Sequence, residues 1–397
     1  HMALTQSTYE QRLDSIVFLQ AHDTDYQNPK YDYPVGNEAC RVIDIEIDPG
    51  FTESAEGDQT GAIGKAGHVP GMAKPGFRMT IEVRPSGTAG AGADYGQIFA
   101  TGFFKAGQSQ AATTVNDAGG WAAYNSGDLT SVSGITANST PLAFTDASGN
   151  TEIALCTDVT GSTVTIDPPL SFLPADASAV TALDYYEPDT DDYERAFTLR
   201  HGSTHTMETL VGCVPESYKW DFGSSQFPRI EVSGFAYSYH HCGTSAIDGA
   251  ITDSDTSIVV DDIDRFTAGT TIQIDDEAIT ITAVTRSTST LTVTRGAAGT
   301  AAAAHDDDDV VTPYSPTPNL SGEVISSKVC KVRTGSGDNA ATYYTSESGT
   351  ISTSGGVQSR ERAHGADWGV DGFALSSDFT AEADISEWMK SETWERS

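Results

Sequence analysis

Residues 77–83, FRMTIEV, alternate apolar and polar side chains without a break: Phe77, Met79, Ile81 and Val83 on one parity, Arg78, Thr80 and Glu82 on the other. Successive side chains of a strand point to opposite faces, so this run predicts a strand with one buried and one wet face. Residues 40–47, CRVIDIEI, carry the same alternation, with Asp44 and Glu46 set between isoleucines. On this parity the outward-facing acids are Asp44, Glu46 and Glu82.

Between these strands lie residues 51–76, rich in Gly and small polar residues and without periodicity. Aperiodic loops of that length are commonly functional or disordered. Upstream, Tyr9, Leu13, Ile16, Val17 and Leu19 sit near a 3–4 spacing and predict a helix over residues 5–19. Residues 22–35, with Pro29 and Pro34, read as an extended, irregular arm. Downstream, a Gly-rich turn at residues 87–92 precedes a short helix-like piece at 95–103. Strand signals then dominate: 152–156, 163–166, 197–201, 207–214, 218–222 and 229–239. A second β-rich module covers residues 247–312, with strands expected at 257–260, 271–274, 278–284 and 290–294, and alternation resumes at 324–332.

Two stretches resemble each other. Residues 151–188 and 269–316 share the order strand, turn, strand, turn, strand, Ala-rich loop, short strand, aromatic, Pro, which predicts a diverged internal duplication.

The formal net charge is 22 − 56 = −34. Tight nucleic-acid binding needs Lys and Arg to neutralise phosphates, so this balance argues against it, though not against nucleic acid passing nearby. A salt-adapted surface fits too, since eight lysines stand against fourteen arginines. No apolar run approaches the ~18 residues of a membrane span, so no membrane insertion is expected. The five cysteines are scattered and odd in number, which predicts buried free thiols rather than a disulfide framework.

Nothing in the chain reads as catalytic machinery, and no cofactor is expected. His201 and His205 have a metal-like spacing, but residues four apart along a strand stand ~13 Å apart. His240, His241 and Cys242 alternate between faces. The Asp306–Asp309 run behind His305 offers oxygen ligands for a hard cation such as calcium, as do Asp189, Asp191, Asp192 and Glu194, yet such runs usually form solvated turns. No metal site and no catalytic residue is assigned.

Residues 77–107, FRMTIEVRPSGTAGAGADYGQIFATGFFKAG, resemble a recurring segment of the major tail tube proteins of long-tailed (siphovirus-type) bacteriophages. Residues 186–235, including RHGSTHTMETLVGCVPESYKWDFGSSQFPRIEVSGF, resemble the strand ladder that closes the sheet in that family. IQIDDEAITIT and LTVTRGAAGTAAAAHDDDDVV are similar to small β-domains that decorate virion proteins. The resemblance implies a mainly β fold: a tail-tube-type β-sandwich or barrel core with a short flanking helix and inserted small β-domains. The expected division is 1–126 for the first part of the tube core, 127–188 for an inserted module, 189–243 for the rest of that core, 244–312 for a second insert outside the tube, and 313–397 for a second tube-forming unit.

On this resemblance the chain is a structural virion protein, not an enzyme. It would be assembled in the host cytoplasm into stacked rings around a channel for double-stranded DNA, with Asp44, Glu46 and Glu82 facing the channel. Residues 51–76 would reach the adjacent ring, with Glu53, Asp58, Gly61, Lys65, His68 and Met72 as contact residues. The implied partners are further copies of the chain (trimeric rings favoured over hexameric ones), a tape measure protein, tail terminator and distal tail proteins, and DNA in transit. The rival readings are a virion or extracellular carbohydrate-binding protein, with Trp121, Tyr124, Tyr185 and Tyr186 as its aromatic group, and an adhesin-like or surface-layer protein.

Overall fold

A computed structural model describes residues 16–25, 32–50, 53–55, 68–70, 74–84, 93–99, 101, 104–107, 112–138, 140–149, 151–183, 185–188, 195–223, 227–320, 331–334, 341–344, 348–354, 357–360, 369–373 and 376–382. The main body is built on one 18-residue strand, β16 (Thr206–Gly223). Its first half pairs with β15 (Arg195–Gly202) and β18 (Ser238–Gly243). Its second half pairs with β17 (Arg229–Phe235) and β27 (Ser348–Ser354). Beyond β15 lie β1 (Ile16–Asp25) and β2 (Ala39–Cys40). Beyond β17 lie β6 (Gly76–Glu82) and β3 (Val42–Asp48), and beyond β27 lies β30 (Ser376–Glu382).

Two antiparallel sheets therefore share β16: β2-β1-β15-β16-β18 and β3-β6-β17-β16-β27-β30. The sequence splits β16 in two at Pro215. In the structure the chain runs through, with a register slip between Pro215 and Ser217. A bulge is where a strand tolerates a residue without an N–H, and it also supplies the bend between sheets.

The inner faces of both sheets close one core. Leu19, Leu199, Leu210 and Cys213 from the first meet Met79, Ile81, Ile230, Val232 and Tyr218 from the second. A single helical turn, α1 (Gly96–Phe99), buries Ile98 and Phe99 in it. The Phe99 ring stacks on Tyr218 and Trp220, with centroids 5.0 and 5.2 Å apart, and the Tyr218 hydroxyl donates to the Ile98 carbonyl at 3.0 Å.

The helix expected over residues 5–19 is corrected in its last turn. Ile16, Val17 and Leu19 lie in β1, where Val17 pairs with His201 and Leu19 with Leu199. Val17 and Leu19 face the core, and Phe18 between them faces the other way, against the second module. That is the period of a strand buried on both faces, which short apolar runs do not distinguish from a helix. Tyr9 and Leu13 lie outside the described residues.

The two inserted modules are six-stranded sheets. The first has β8 (Ala112–Thr114), β9 (Ser126–Asp128), β10 (Pro141–Thr145), β11 (Thr151–Thr160), β12 (Thr163–Asp167) and β13 (Ala179–Ala182), in spatial order β8-β13-β10-β11-β12-β9. The second has β19 (Ser245–Ala246), β20 (Ser257–Val259), β21 (Thr271–Ile274), β22 (Glu277–Thr285), β23 (Thr290–Ala297) and β24 (Val310–Pro313), in order β19-β24-β21-β22-β23-β20. Numbered along the chain, both read first, sixth, third, fourth, fifth, second.

Their details coincide as well. Each fourth strand bulges at a threonine whose hydroxyl donates to the carbonyl across the ladder: Thr157 to Thr165 at 3.2 Å, and Thr282 to Thr292 at 3.0 Å. The bridges Val115–Leu129 and Ile247–Val260 match, as do the bonds from Ser131 N to Thr113 Oγ1 and from Asp262 N to Ser245 Oγ, both 3.0 Å. Ala177 and Asp308 occupy the same turn with φ of 59° and 71°.

Two expected boundaries are corrected. The first module begins by Ala112 rather than at 127, because β8 pairs with β13 and Trp121 is buried in the module's own core. Residues 313–397 do not form a separate second tube unit among the described residues. Their strands β27 and β30 extend the sheet already built on β16.

Four short pairs complete the described structure: β4 (Glu53–Ala55) with β5 (His68–Pro70), β7 (Phe104–Gly107) with β14 (Tyr185–Pro188), β25 (Lys331–Thr334) with β26 (Ala341–Tyr344), and β28 (Val357–Arg360) with β29 (Gly369–Phe373). The strands that flank the first module, β7 and β14, pair with each other. The second is seated on the first sheet: Phe18, Ala39, Met207 and Cys242 share a core with Ile247, Ile263 and Phe266.

Replacing Tyr218 by Phe removes one of two hydroxyls that donate to the Ile98 carbonyl, the other being that of Thr101 at 2.7 Å. The expected result is a loss of about 1 kcal/mol in urea unfolding, without a change of secondary structure in circular dichroism.

Candidate functional site: the wet face of the second sheet

The register places polar residues in rows across the second sheet. Glu46, Arg78, Ser233 and Ser217 form one row; Asp44, Thr80, Glu231 and Lys219 form the next. Glu82, Arg229 and Asp221 form a third. The reason is the period-2 pattern of the sequence: Met79, Ile81, Ile230, Val232 and Tyr218 take the buried parity, leaving this face to polar side chains. Asp44, Glu46 and Glu82, expected on one side from their parity, do share this face.

The charges on the face are unequally matched. Arg78 reaches Glu231 at 3.3 Å, Lys219 reaches Asp221 at 2.6 Å and Glu231 at 4.0 Å, and Arg84 reaches Glu82 at 2.7 Å. The hydrogen bond to Asp221 and the nearby carboxylates raise Lys219 above the ordinary lysine value. The Ser217 and Ser233 hydroxyls are bonded to each other at 2.7 Å. Asp44 and Glu46 are exposed and form no ion pair among the described residues. The centre of the face is thus nearly compensated, and its unbalanced negative charge lies along β3.

β3 is also a margin: among the described residues it pairs with β6 alone, and β30 at the far side pairs with β27 alone. The β3 ladder slips between Val42 and Asp44, and at this slip Ile43 is 47% exposed. An apolar residue on an open edge, with unpaired backbone groups beside it, is a feature that proteins otherwise avoid.

The long connection leaves from the end of β3. At its base Gly50 N donates to Asp48 Oδ1 at 2.8 Å and Lys74 N donates to Gly50 O at 3.1 Å. Gly50 has φ +67°, and a Cβ there would stand 1.9 Å from the Lys74 carbonyl oxygen, so the pinch requires glycine. Within the connection, Glu53 stands across from Pro70 and His68 across from Ala55 in the β4–β5 ladder. It is therefore a hairpin in part. Asp58, Gly61, Lys65 and Met72 lie outside the described residues.

The remaining sequence candidates fall elsewhere. His201 Nδ1 stands 4.0 Å from Glu208, and burial lowers its pKa. Cys40, Cys156, Cys213 and Cys242 are buried free thiols, their pKa values raised by burial. Cys330 lies outside the described residues. Trp121 is 2% exposed, so it cannot join Tyr124 on a sugar-binding surface, and the side chains of Tyr185 and Tyr186 are not described.

A second polar constellation, missed from the sequence because its members lie on separate elements, is in the second module. Arg295 grips buried Glu277 with both arms, at 2.8 and 2.7 Å, and His305 Nε2 meets the same carboxylate at 3.0 Å. The backbone N–H groups of Gly296 and Ala303 donate to it as well, each at 3.0 Å. Burial works to raise the Glu277 pKa, but these donors, Arg295 foremost, outweigh it and hold the value at about 2. The equivalent Glu152 of the first module also accepts from a loop, taking the Ser171 N–H at 2.8 Å and its hydroxyl.

No protein-family model and no curated protein matches the chain.

The depressed Glu277 pKa carries a pH dependence of known sign. Its stabilisation is complete above the ordinary carboxyl range near 4.5 and is lost as the pH falls toward 2. Thermal unfolding of the full chain should therefore show on the order of 3 kcal/mol of acid-sensitive stability in the second module. Glu277→Gln should destabilise at neutral pH, because Arg295 is left buried and uncompensated, and should flatten the acid limb.

Proposed function

We propose that the chain is the repeating subunit of a viral tail tube, of the kind built by long-tailed bacteriophages. Copies would join edge to edge into rings, and the rings would stack around a channel for double-stranded DNA. The observation that carries this reading is the second sheet: one face is filled by core, the other is polar throughout its described side chains, and both margins are open among the described residues. A sheet of that kind is completed by pairing β3 of one copy with β30 of the next, which removes every edge and covers Ile43. The second module packs on the back of the first sheet, so it would lie on the outside of such a ring.

Strand counting bears on the symmetry. Each chain contributes six strands to the second sheet. Three chains at ~4.8 Å per strand and a tilt of ~40° give a backbone ring about 36 Å across. Side chains of about 5 Å on each side leave a bore near 25 Å, sufficient for a duplex about 20 Å wide. Six chains would leave a bore near 60 Å, far wider than DNA requires. Trimeric rings are the better fit, on this ground rather than on a second tube unit in each chain.

The charge along β3 suits transit. DNA carries one charge per ~1.7 Å, and unpaired carboxylates at Asp44 and Glu46 repel it, while the paired centre of the face neither attracts nor holds it. The hairpin connection pinched at Gly50 is the element proposed to reach the neighbouring ring. In a virion, the tape measure protein would occupy the bore before DNA, and terminator and distal tail proteins would cap the two ends.

Electron microscopy of the purified chain at high concentration tests the assembly: stacked rings with a central hole are expected, and dispersed single molecules would refute it. Removing residues 57–71 should leave rings or protomers that no longer stack. Lysines at Asp44 and Glu46 should leave the fold within about 0.5 kcal/mol of the parent, since both are exposed, yet slow DNA ejection from assembled particles. An unchanged rate would place β3 away from the channel.

A further inference from the structure

We propose that Asp275, His305 and Asp309 form a site for one divalent first-row transition-metal ion, zinc being the best fit, in the second module. One ligand atom from each of the three lies within 4.8 Å of the others. The topology assembles them: Asp275 sits in the turn between β21 and β22, and His305 and Asp309 sit in the connection that leads into β24, the partner of β21.

The imidazole fixes the chemistry. Glu277 accepts from Nε and Nη2 of Arg295 and from two backbone N–H groups, and His305 Nε2 lies against the same carboxylate at 3.0 Å. The other nitrogen, Nδ1, faces Asp275 Oδ2 at 3.2 Å, and an Asp309 carboxylate oxygen belongs to the same group of ligand atoms. A cation seated there would take the imidazole nitrogen and the carboxylate oxygens together. A buried histidine whose second nitrogen donates to a carboxylate is also the arrangement that orients metal-ligating imidazoles. The His305 side chain is 2% exposed while that of Asp275 is 70% exposed, which leaves an entry path from solvent. One nitrogen and two carboxylate oxygens suit zinc better than calcium or magnesium, which take oxygen ligands only.

The first module supplies an internal comparison. Pro174 and Ser178 stand where His305 and Asp309 stand, and the surrounding bonds are the same: Pro174 O accepts from Trp121 N at 2.9 Å and His305 O from Ile251 N at 2.9 Å. Ser178 N and Asp309 N each close the same turn, onto Ala175 O and Asp306 O. This loop folds with Pro174 and Ser178 in one module and with His305 and Asp309 in the other. The fold does not require them.

The test uses the full chain, stripped with a chelator and titrated with zinc chloride in excess magnesium, which occupies weak sites on the acidic surface. One zinc per chain and a raised unfolding temperature are expected. Asp275→Ala and Asp309→Asn, which leave the Arg295–Glu277 pair in place, should each weaken binding about tenfold or more and abolish the thermal shift. Cobalt chloride should give a visible absorption band that the double variant lacks. No zinc uptake by the parent chain would overturn the proposal. Equal uptake by the double variant would overturn it as well.

Discussion

The architecture depends on a single strand that belongs to two sheets. β16 gives its first half to one ladder and its second half to another, and the bulge at Glu216 turns it between them. Because one strand crosses both layers, the two sheets cannot slide or separate without breaking the backbone ladder of their common member. The core is then a consequence: inner faces that share a strand are held at packing distance, and the Phe99 ring fills the gap against Tyr218 and Trp220. The outer faces diverge in character. That of the first sheet is apolar at Phe18, Met207 and Cys242 and receives the second module, whereas that of the second sheet is polar.

The duplication is structural to the level of single hydrogen bonds. Side chains in the two cores differ freely, Cys156 standing for Ile281 and Phe144 for Ile274, as expected where volume and polarity pattern matter more than identity. What persists is the backbone scheme and the side chains that serve it, above all the bulge threonines Thr157 and Thr282. Glu152 and Glu277 show the same economy: each caps a loop with carboxylate oxygens, and only the second acquires an arginine and a histidine around it.

Much of the strand content was legible in the sequence, because alternation over residues 77–83, 229–235 and 271–274 reports burial directly. Legibility failed where two faces are buried at once. Val17, Phe18 and Leu19 read as a helix turn because Val17 and Leu19 are buried in the sandwich core and Phe18 in the core of the second module, so no polar residue marks an outer face. It failed again at Pro215, where a local rule against proline in strands was overridden by a bulge that the shared strand needs. The acidic face was legible from parity alone, since Asp44, Glu46 and Glu82 require no knowledge of tertiary contacts. Its compensation at Arg78 was not, because the partner Glu231 lies 153 residues away and meets it only when β6 pairs with β17. The Arg295–Glu277–His305 cluster was hidden because its members come from two strands and a loop with no shared motif, 18 and 28 residues from Glu277.

The pairing of β7 with β14 has an evolutionary corollary. Tyr185 stands opposite Gly107, so the chain departs for the first module and comes back at neighbouring points, and that module's core contains no residue of the sandwich. Such a segment is a cassette: an unrelated domain, or a plain reverse turn, closes the same gap without disturbing anything the body needs to fold. The companion module has no such freedom, because its hydrophobic interior doubles as the lining of the first sheet. Lineages descended from this protein should therefore gain, lose and exchange the one while retaining the other.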